Sequence, residues 1–206
     1  MLKILGRATS TNVQKILWFC DEAGIAYDHD NDIGGAFGQN DTPEYLAMNP
    51  NGKVPTVIDD DFVMWESNSV MRYLARKNKS ALYPSEFEAR NMTERWMDWE
   101  LSVVAPHQGT VLVGLVRTKP EDRDNAKIEA SRQAWVRGMT ILDGQLAKTA
   151  YVASDEFTLA DIPLGPIAHR FFSLDIERPD LPNLRRWYAA LSTRPAFQKW
   201  CLIEMA

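Results

Sequence analysis

The rhythm of apolar and polar positions changes part-way along the chain. Leu2-Lys3-Ile4-Leu5 reads as a strand start, and a polar cluster, Thr9-Ser10-Thr11-Asn12, follows it. Val13, Ile16, Leu17 and Cys20 then recur at helical spacing up to Gly24, a residue that ends helices because it tolerates positive φ. Ile25-Ala26-Tyr27-Asp28-His29 reads as a second strand, and Gly34 to Gly38 as a loop. Thr42-Pro43-Glu44-Tyr45-Leu46 reads as a short helix with proline in its first turn. Val54 to Ile58 and Phe62 to Trp65, parted by three aspartates, predict a hairpin. Ser67 to Lys77 carries Val70, Tyr73 and Leu74 on one helical face. The order is βαβαββα.

Beyond Leu82-Tyr83-Pro84-Ser85 the strand signals largely vanish. Met92, Trp96, Trp99 and Val103 keep helical spacing, as do Ile128, Trp135, Met139, Leu142 and Leu146. Two more helical patterns lie near 159–174 and 183–192. The aromatic residues on these faces, Trp96, Trp99, Trp135 and Trp187, are expected to pack between helices. The pattern therefore predicts an α/β part over 1–79, a linker over 80–85 and an all-α part over 86–206.

Composition narrows the function classes. The chain has 206 residues and a net charge of −5, with charge spread over both parts, so a basic nucleic-acid footprint is absent. The two cysteines, Cys20 and Cys201, form no metal spacing, and their low density suits a reducing compartment. The N-terminal stretch lacks signal-peptide texture and no apolar run is long enough to span a bilayer, so a cytoplasmic protein without a membrane partner is expected.

Two segments carry candidate chemistry. In Asn49-Pro50-Asn51-Gly52-Lys53-Val54-Pro55-Thr56 a proline stands just before an apolar run. Proline inside a central strand costs a ladder hydrogen bond and belongs at an edge or at the strand's beginning. A cis Val54–Pro55 bond is one solution. It would leave the N–H and C=O of Val54 facing outward, ready for a peptide-like ligand. Further on, Glu66-Ser67 closes a strand and opens a helix. Ser67 is the expected N-cap, with free N–H groups behind it that suit a carboxylate, and Glu66 suits an ammonium. The pair fits an α-amino acid head group; a plain capped helix beside a solvated glutamate accounts for the same residues.

Together, Thr9-Ser10-Thr11 before the first helix, the Asn49–Thr56 segment, Glu66-Ser67 and the helical second half resemble the cytosolic glutathione transferases. The likeness is to bacterial serine- or threonine-type members, since no Tyr or Cys stands in the first loop. Phe157-Thr158-Leu159-Ala160-Asp161-Ile162 resembles that family's helix-start motif, with Thr158 as N-cap, Asp161 closing the capping box and Phe157 stapled to Ile162. Leu181 to Trp187 and Arg194 to Phe197 resemble its tail.

The resemblance implies a thioredoxin-like domain that binds glutathione as co-substrate, followed by a helical domain that supplies most of the pocket for a small hydrophobic electrophile. It implies that Val54, before cis Pro55, pairs with the cysteinyl part, that Glu66 and Ser67 hold the γ-glutamyl head, and that Lys53 lies near the glycine carboxylate. Ser10 best matches the thiol-activating position; Thr9, Thr11 and Asn12 offer donors beside it, and any of them could simply cap the helix. His107, Thr110 and Val111, on the first long helix of the second part, are the expected electrophile-pocket residues. Asn68 stands where several serine-type classes carry Arg. His29 and His169 have no evident partner, and no residue cluster suggests a metal. The implied activity is a detoxifying transferase acting as a homodimer. A non-catalytic carrier or regulator, and a glutathione-dependent peroxidase or disulfide reductase, are the competing expectations.

Overall fold

A computed structural model describes residues 1–205. The N-terminal domain runs β1 (Leu2–Leu5), α1 (Thr11–Glu22), β2 (Asp28–Asp30), α2 (Pro43–Met48), β3 (Thr56–Asp59), β4 (Phe62–Trp65) and α3 (Ser67–Lys77). Its four-stranded sheet has the order β2-β1-β3-β4, with β1 and β2 parallel and the other pairs antiparallel. This is the thioredoxin-like arrangement that the βαβαββα reading anticipates.

One boundary differs. The second strand begins at Asp28, not Ile25, because Ile25 is still part of the helix ending. Gly24, at φ +66°, lets the Ile25 N–H reach the Cys20 carbonyl at 2.9 Å, which closes α1 before extended structure can start.

The C-terminal domain is helical: α4 (Phe87–Trp99), α5 (Ala105–Leu112), α6 (Asn125–Leu146), α7 (Asp161–Ser173), α8 (Pro182–Ser192) and α9 (Pro195–Cys201). Widened π-type turns at Glu100–Val104 and Val113–Arg117 flank α5. The first leads into Pro106, which has no N–H to donate to the carbonyl four residues earlier in an unbroken α-helical ladder.

Helix α1 lies at the centre of the molecule. Val13 to Cys20 are all buried, including Gln14 and Lys15. It packs against α3 of its own domain and against α7 and α9 of the C-terminal domain. Trp18 packs edge-on to Phe197 at 4.8 Å and against Phe157 at 5.7 Å. A polar seam completes the contact with α9. Glu22 accepts from Arg194 at 2.8 and 2.6 Å, and Asp21 accepts from Lys199 at 2.9 Å and Trp200 at 2.7 Å.

Asp161 opens α7 from a fully buried position. Its carboxylate accepts from the backbone N–H of Val152 and Thr158, both at 2.9 Å, and from Trp187 Nε1 at 2.8 Å. The capping-box residues thus meet, but the helix begins at Asp161 with Ala160 as N-cap, so Thr158 is not the cap. Its hydroxyl instead takes the Ala160 N–H at 3.3 Å, one turn before the helix. Trp135 and Trp187 are fully buried, as the helical spacing anticipates. Among the described residues no helix is long and apolar enough to cross a membrane.

Candidate functional site

Gly6 ends β1 at φ +143°, and a Cβ there would fall 2.7 Å from Val54 Cβ and 2.8 Å from Val13 Cγ2. The chain therefore brings the end of β1, the start of α1 and the Val54–Pro55 turn into one contact that only glycine allows. His29, for which sequence offers no partner, holds the same corner: its Nε2 lies 2.8 Å from the Gly6 carbonyl.

The Val54–Pro55 bond is cis. Neither the N–H nor the C=O of Val54 has a partner among the described residues, so both are available to a peptide-like chain. A polar network secures the turn behind it. The Lys53 carbonyl accepts from Tyr45 Oη and Asn49 Nδ2, each at 2.8 Å, and Thr56 Oγ1 donates to Tyr45 Oη at 2.8 Å. The Lys53 side chain is exposed.

Ser10 is the N-cap of α1, in extended conformation, and its hydroxyl makes no capping hydrogen bond. The helix is closed there by its carbonyl, which accepts from Val13 and Gln14 at 3.0 and 2.9 Å. The hydroxyl is thus free for a ligand at the end of a helix whose first N–H groups favour negative charge. Thr11 and Asn12 sit within the first turn of α1. Asn12 Oδ1 accepts from Ser67 Oγ at 3.3 Å, which joins the thiol loop to the start of α3. The Thr9 carbonyl accepts from Arg170 Nη2 at 2.9 Å.

At α3 the cap is Glu66, not Ser67. Glu66 adopts φ +70°, its carbonyl takes the Val70 N–H at 2.9 Å, and Ser67 becomes the first helical residue. The hydroxyl that sequence assigns to capping is spent on Asn12 instead. Asn68 points into the interior, donating to the Met97 carbonyl at 2.8 Å and lying 3.4 Å from Glu100 Oε2. Glu100 is completely buried and accepts from Lys15 Nζ at 3.1 and 3.0 Å. This pair ties the middle of α1 to the first wide turn, and helical spacing alone gives no sign of it.

The expected electrophile-pocket residues separate. Val111 is fully buried in the core and offers no surface to a cleft, because α5 packs it inward against the hydrophobic cluster. Thr110 lines a cavity of about 430 Å³ between α5 and the start of α6, with Val113, Lys127 and Ile128. None of that cavity's lining residues belongs to the thiol loop. His107 is half-buried on α5. Both cysteines are unsuited to nucleophilic work: burial pushes the Cys20 thiol up to about 12 and raises that of Cys201 well above its ordinary value. Among the described residues no group of His, Cys, Asp or Glu is placed to hold a metal.

Comparisons with known proteins agree with this geometry. Residues 9–77 match the family model of the glutathione S-transferase N-terminal domain, and residues 125–190 that of the C-terminal domain. The chain is 38% identical to glutathione S-transferase GstB of Escherichia coli over the full length of both. It is 29% identical to glutathione S-transferase 3 of Zea mays, covering 96% of this chain and 92% of that one. Among solved structures, it is 43% identical to the theta class glutathione S-transferase of Xanthomonas axonopodis pv. citri with glutathione bound. The TM-score is 0.95, with 100% of this chain and 99% of that chain covered.

Proposed function

Because the chain belongs to the glutathione S-transferase family and is a transferase of that class, we propose that Ser10 is the residue that activates the glutathione thiol. The observation that carries this is the Ser10 hydroxyl, placed at the α1 N-terminus yet unused in capping. Glutathione brings a thiol whose free value is near ~8.5, so only a few per cent is thiolate at pH 7. A hydroxyl donor aimed at sulfur, backed by the helix N-terminus, favours the charged form. Lowering the thiol by about two units corresponds to roughly 2.7 kcal/mol. Holding that thiolate beside an electrophile supplies the remainder through proximity.

The same reading gives the other residues their tasks. The open N–H and C=O of Val54 pair with the cysteinyl peptide unit, and Lys53 reaches the glycine carboxylate. Ser67 and the first N–H groups of α3 take the γ-glutamyl carboxylate, and Glu66 its ammonium. Bound glutathione supplies the nucleophile, which attacks a small hydrophobic electrophile lodged on the helical domain near His107. The exposed apolar side chains Phe62, Trp65, Leu101 and Val103 support a homodimer, and two free thiols support a cytoplasmic setting.

The test is a pH titration of the ultraviolet absorbance of bound thiolate. The expected result is a thiol well below ~8.5 that returns toward it in Ser10→Ala, with kcat falling in step. A depressed value untouched by Ser10→Ala moves the role to Thr9, Thr11 or Asn12. Saturable binding with an unshifted thiol would favour a carrier over a transferase site.

A further inference from the structure

The thiol loop is flanked by cations that the chemistry above does not use. Arg7 stands two residues after β1 and lies along Gly35. A Cβ on Gly35 would fall 2.2 Å from Arg7 Nε, so the glycine makes room for the guanidinium. Arg7 Nη1 is buried and meets no acceptor among the described residues. From the other domain Arg170, 6% exposed on α7, reaches the Thr9 carbonyl. Two guanidiniums thus meet at the Arg7–Ser10 turn, close enough for the charge of Arg7 to be felt at Arg170. Burial, then the like charges of Arg117 and Arg7, lower Arg170 to about 10, and burial with Arg117 lowers Arg7 as well.

Other cations packed around α1 are matched. Lys15 is paired with Glu100, and Arg194 with Glu22. Among the described residues, neither Arg7 nor Arg170 has a carboxylate within ion-pair distance. Desolvating a guanidinium without a counter-ion is costly, and a site that does so twice beside a reactive thiol is built for an anion brought by a ligand.

We propose that Arg7 and Arg170 form an anion subsite in the second-substrate pocket, which takes the carboxylate of an acidic electrophile and holds its reactive carbon toward the glutathione sulfur. This rests on the transferase reading above. A planar carboxylate matches the guanidinium fork, two oxygens to two N–H groups. In the reaction the thiol proton leaves to solvent and sulfur bonds to the electrophilic carbon. A halide then departs with the carbon–halogen electron pair.

The test compares 4-chloro-3-nitrobenzoate with 4-chloro-3-nitrobenzamide, each rate divided by its uncatalysed rate with glutathione. The unmodified protein is expected to favour the benzoate in kcat/KM by about 10–100-fold, and Arg7→Gln to bring the ratio close to unity. The ratio matters because cations near sulfur also stabilise the thiolate, which affects both substrates alike. Turnover of the benzamide without preference for the benzoate overturns the subsite and leaves the transferase reading intact. So does an Arg7→Gln effect that is equal on both substrates, or one confined to the KM for glutathione. If neither compound turns over, the transferase reading fails. The subsite is then decided by calorimetric binding of 3-nitrobenzoate against 3-nitrobenzamide with S-methylglutathione present, where equal affinities overturn it. Arg170→Gln, read by the same ratio, serves as the second variant.

Discussion

Replacing Glu100 with glutamine leaves the Lys15 ammonium, 1% exposed, without its counter-ion in the middle of the molecule. Breaking a buried pair in this way costs about 3–5 kcal/mol. A ceiling applies, because the stranded group can give up its charge. Neutralising an ordinary lysine amine at pH 7 costs about 4.6 kcal/mol, from a free value near ~10.4 at ~1.36 kcal/mol per unit. The reverse variant, Lys15→Met, strands a carboxylate, and protonating an ordinary glutamate at pH 7 costs about 3.7 kcal/mol by the same arithmetic. Both single variants are therefore expected to lose about 3–4 kcal/mol, or roughly 10 °C in melting temperature for a chain of this size. The double variant Lys15→Met/Glu100→Leu removes both charges and is expected to lie within about 2 kcal/mol of the original. Urea unfolding of the four proteins at pH 7 measures all of this. A double variant as unstable as the sum of the singles would refute the reasoning.

Three further outcomes are expected. Asp161, pushed up to about 6 by complete burial against its hydrogen-bond donors, is raised above its unfolded value, so its contribution is full below about pH 4 and is lost as pH rises through 6. Asp161→Asn should abolish that pH dependence in urea midpoints and, by setting an amide against the Thr158 or Val152 N–H, cost about 1–3 kcal/mol at pH 5. Gly6→Ala forces a Cβ onto Val54 and should raise the KM for glutathione severalfold more than it lowers kcat; an unchanged KM would detach Val54 from the binding site. Asn12→Ala removes the acceptor of the Ser67 hydroxyl. It should raise the KM for glutathione without shifting the bound thiol, whereas a shifted thiol would place Asn12 at the sulfur.

Patterns that repeat along the chain made the architecture legible. Alternating short runs announced β1, β3 and β4, and helical spacing of Trp135, Met139 and Leu142 announced α6. Caps were harder, because the same residue types serve several purposes. Ser67 has the chemistry of an N-cap, yet the neighbouring Glu66 takes the left-handed conformation and frees the hydroxyl for Asn12. Side-chain direction on a long helix was harder still. His107, Thr110 and Val111 share one helix, but neighbouring residues on a helix point about 100° apart, and Val111 faces the core. Arg7, Arg170 and the Lys15–Glu100 pair join residues distant in sequence, and no spacing rule reaches that far.

The seam between α1 and α9 has a consequence for how the protein is made. Glu22 and Arg194 are 172 residues apart, and Trp18 is sealed by Phe197 from the same C-terminal helix. During synthesis α1 therefore emerges long before the helix that covers it. Until α9 follows, the nascent chain leaves that face of α1 open, a stretch that holding chaperones are suited to shield. Closure also demands the longest-range contacts in the chain, which slows folding relative to a domain built from neighbours. The first domain thus depends on a segment of the second to seal its central helix.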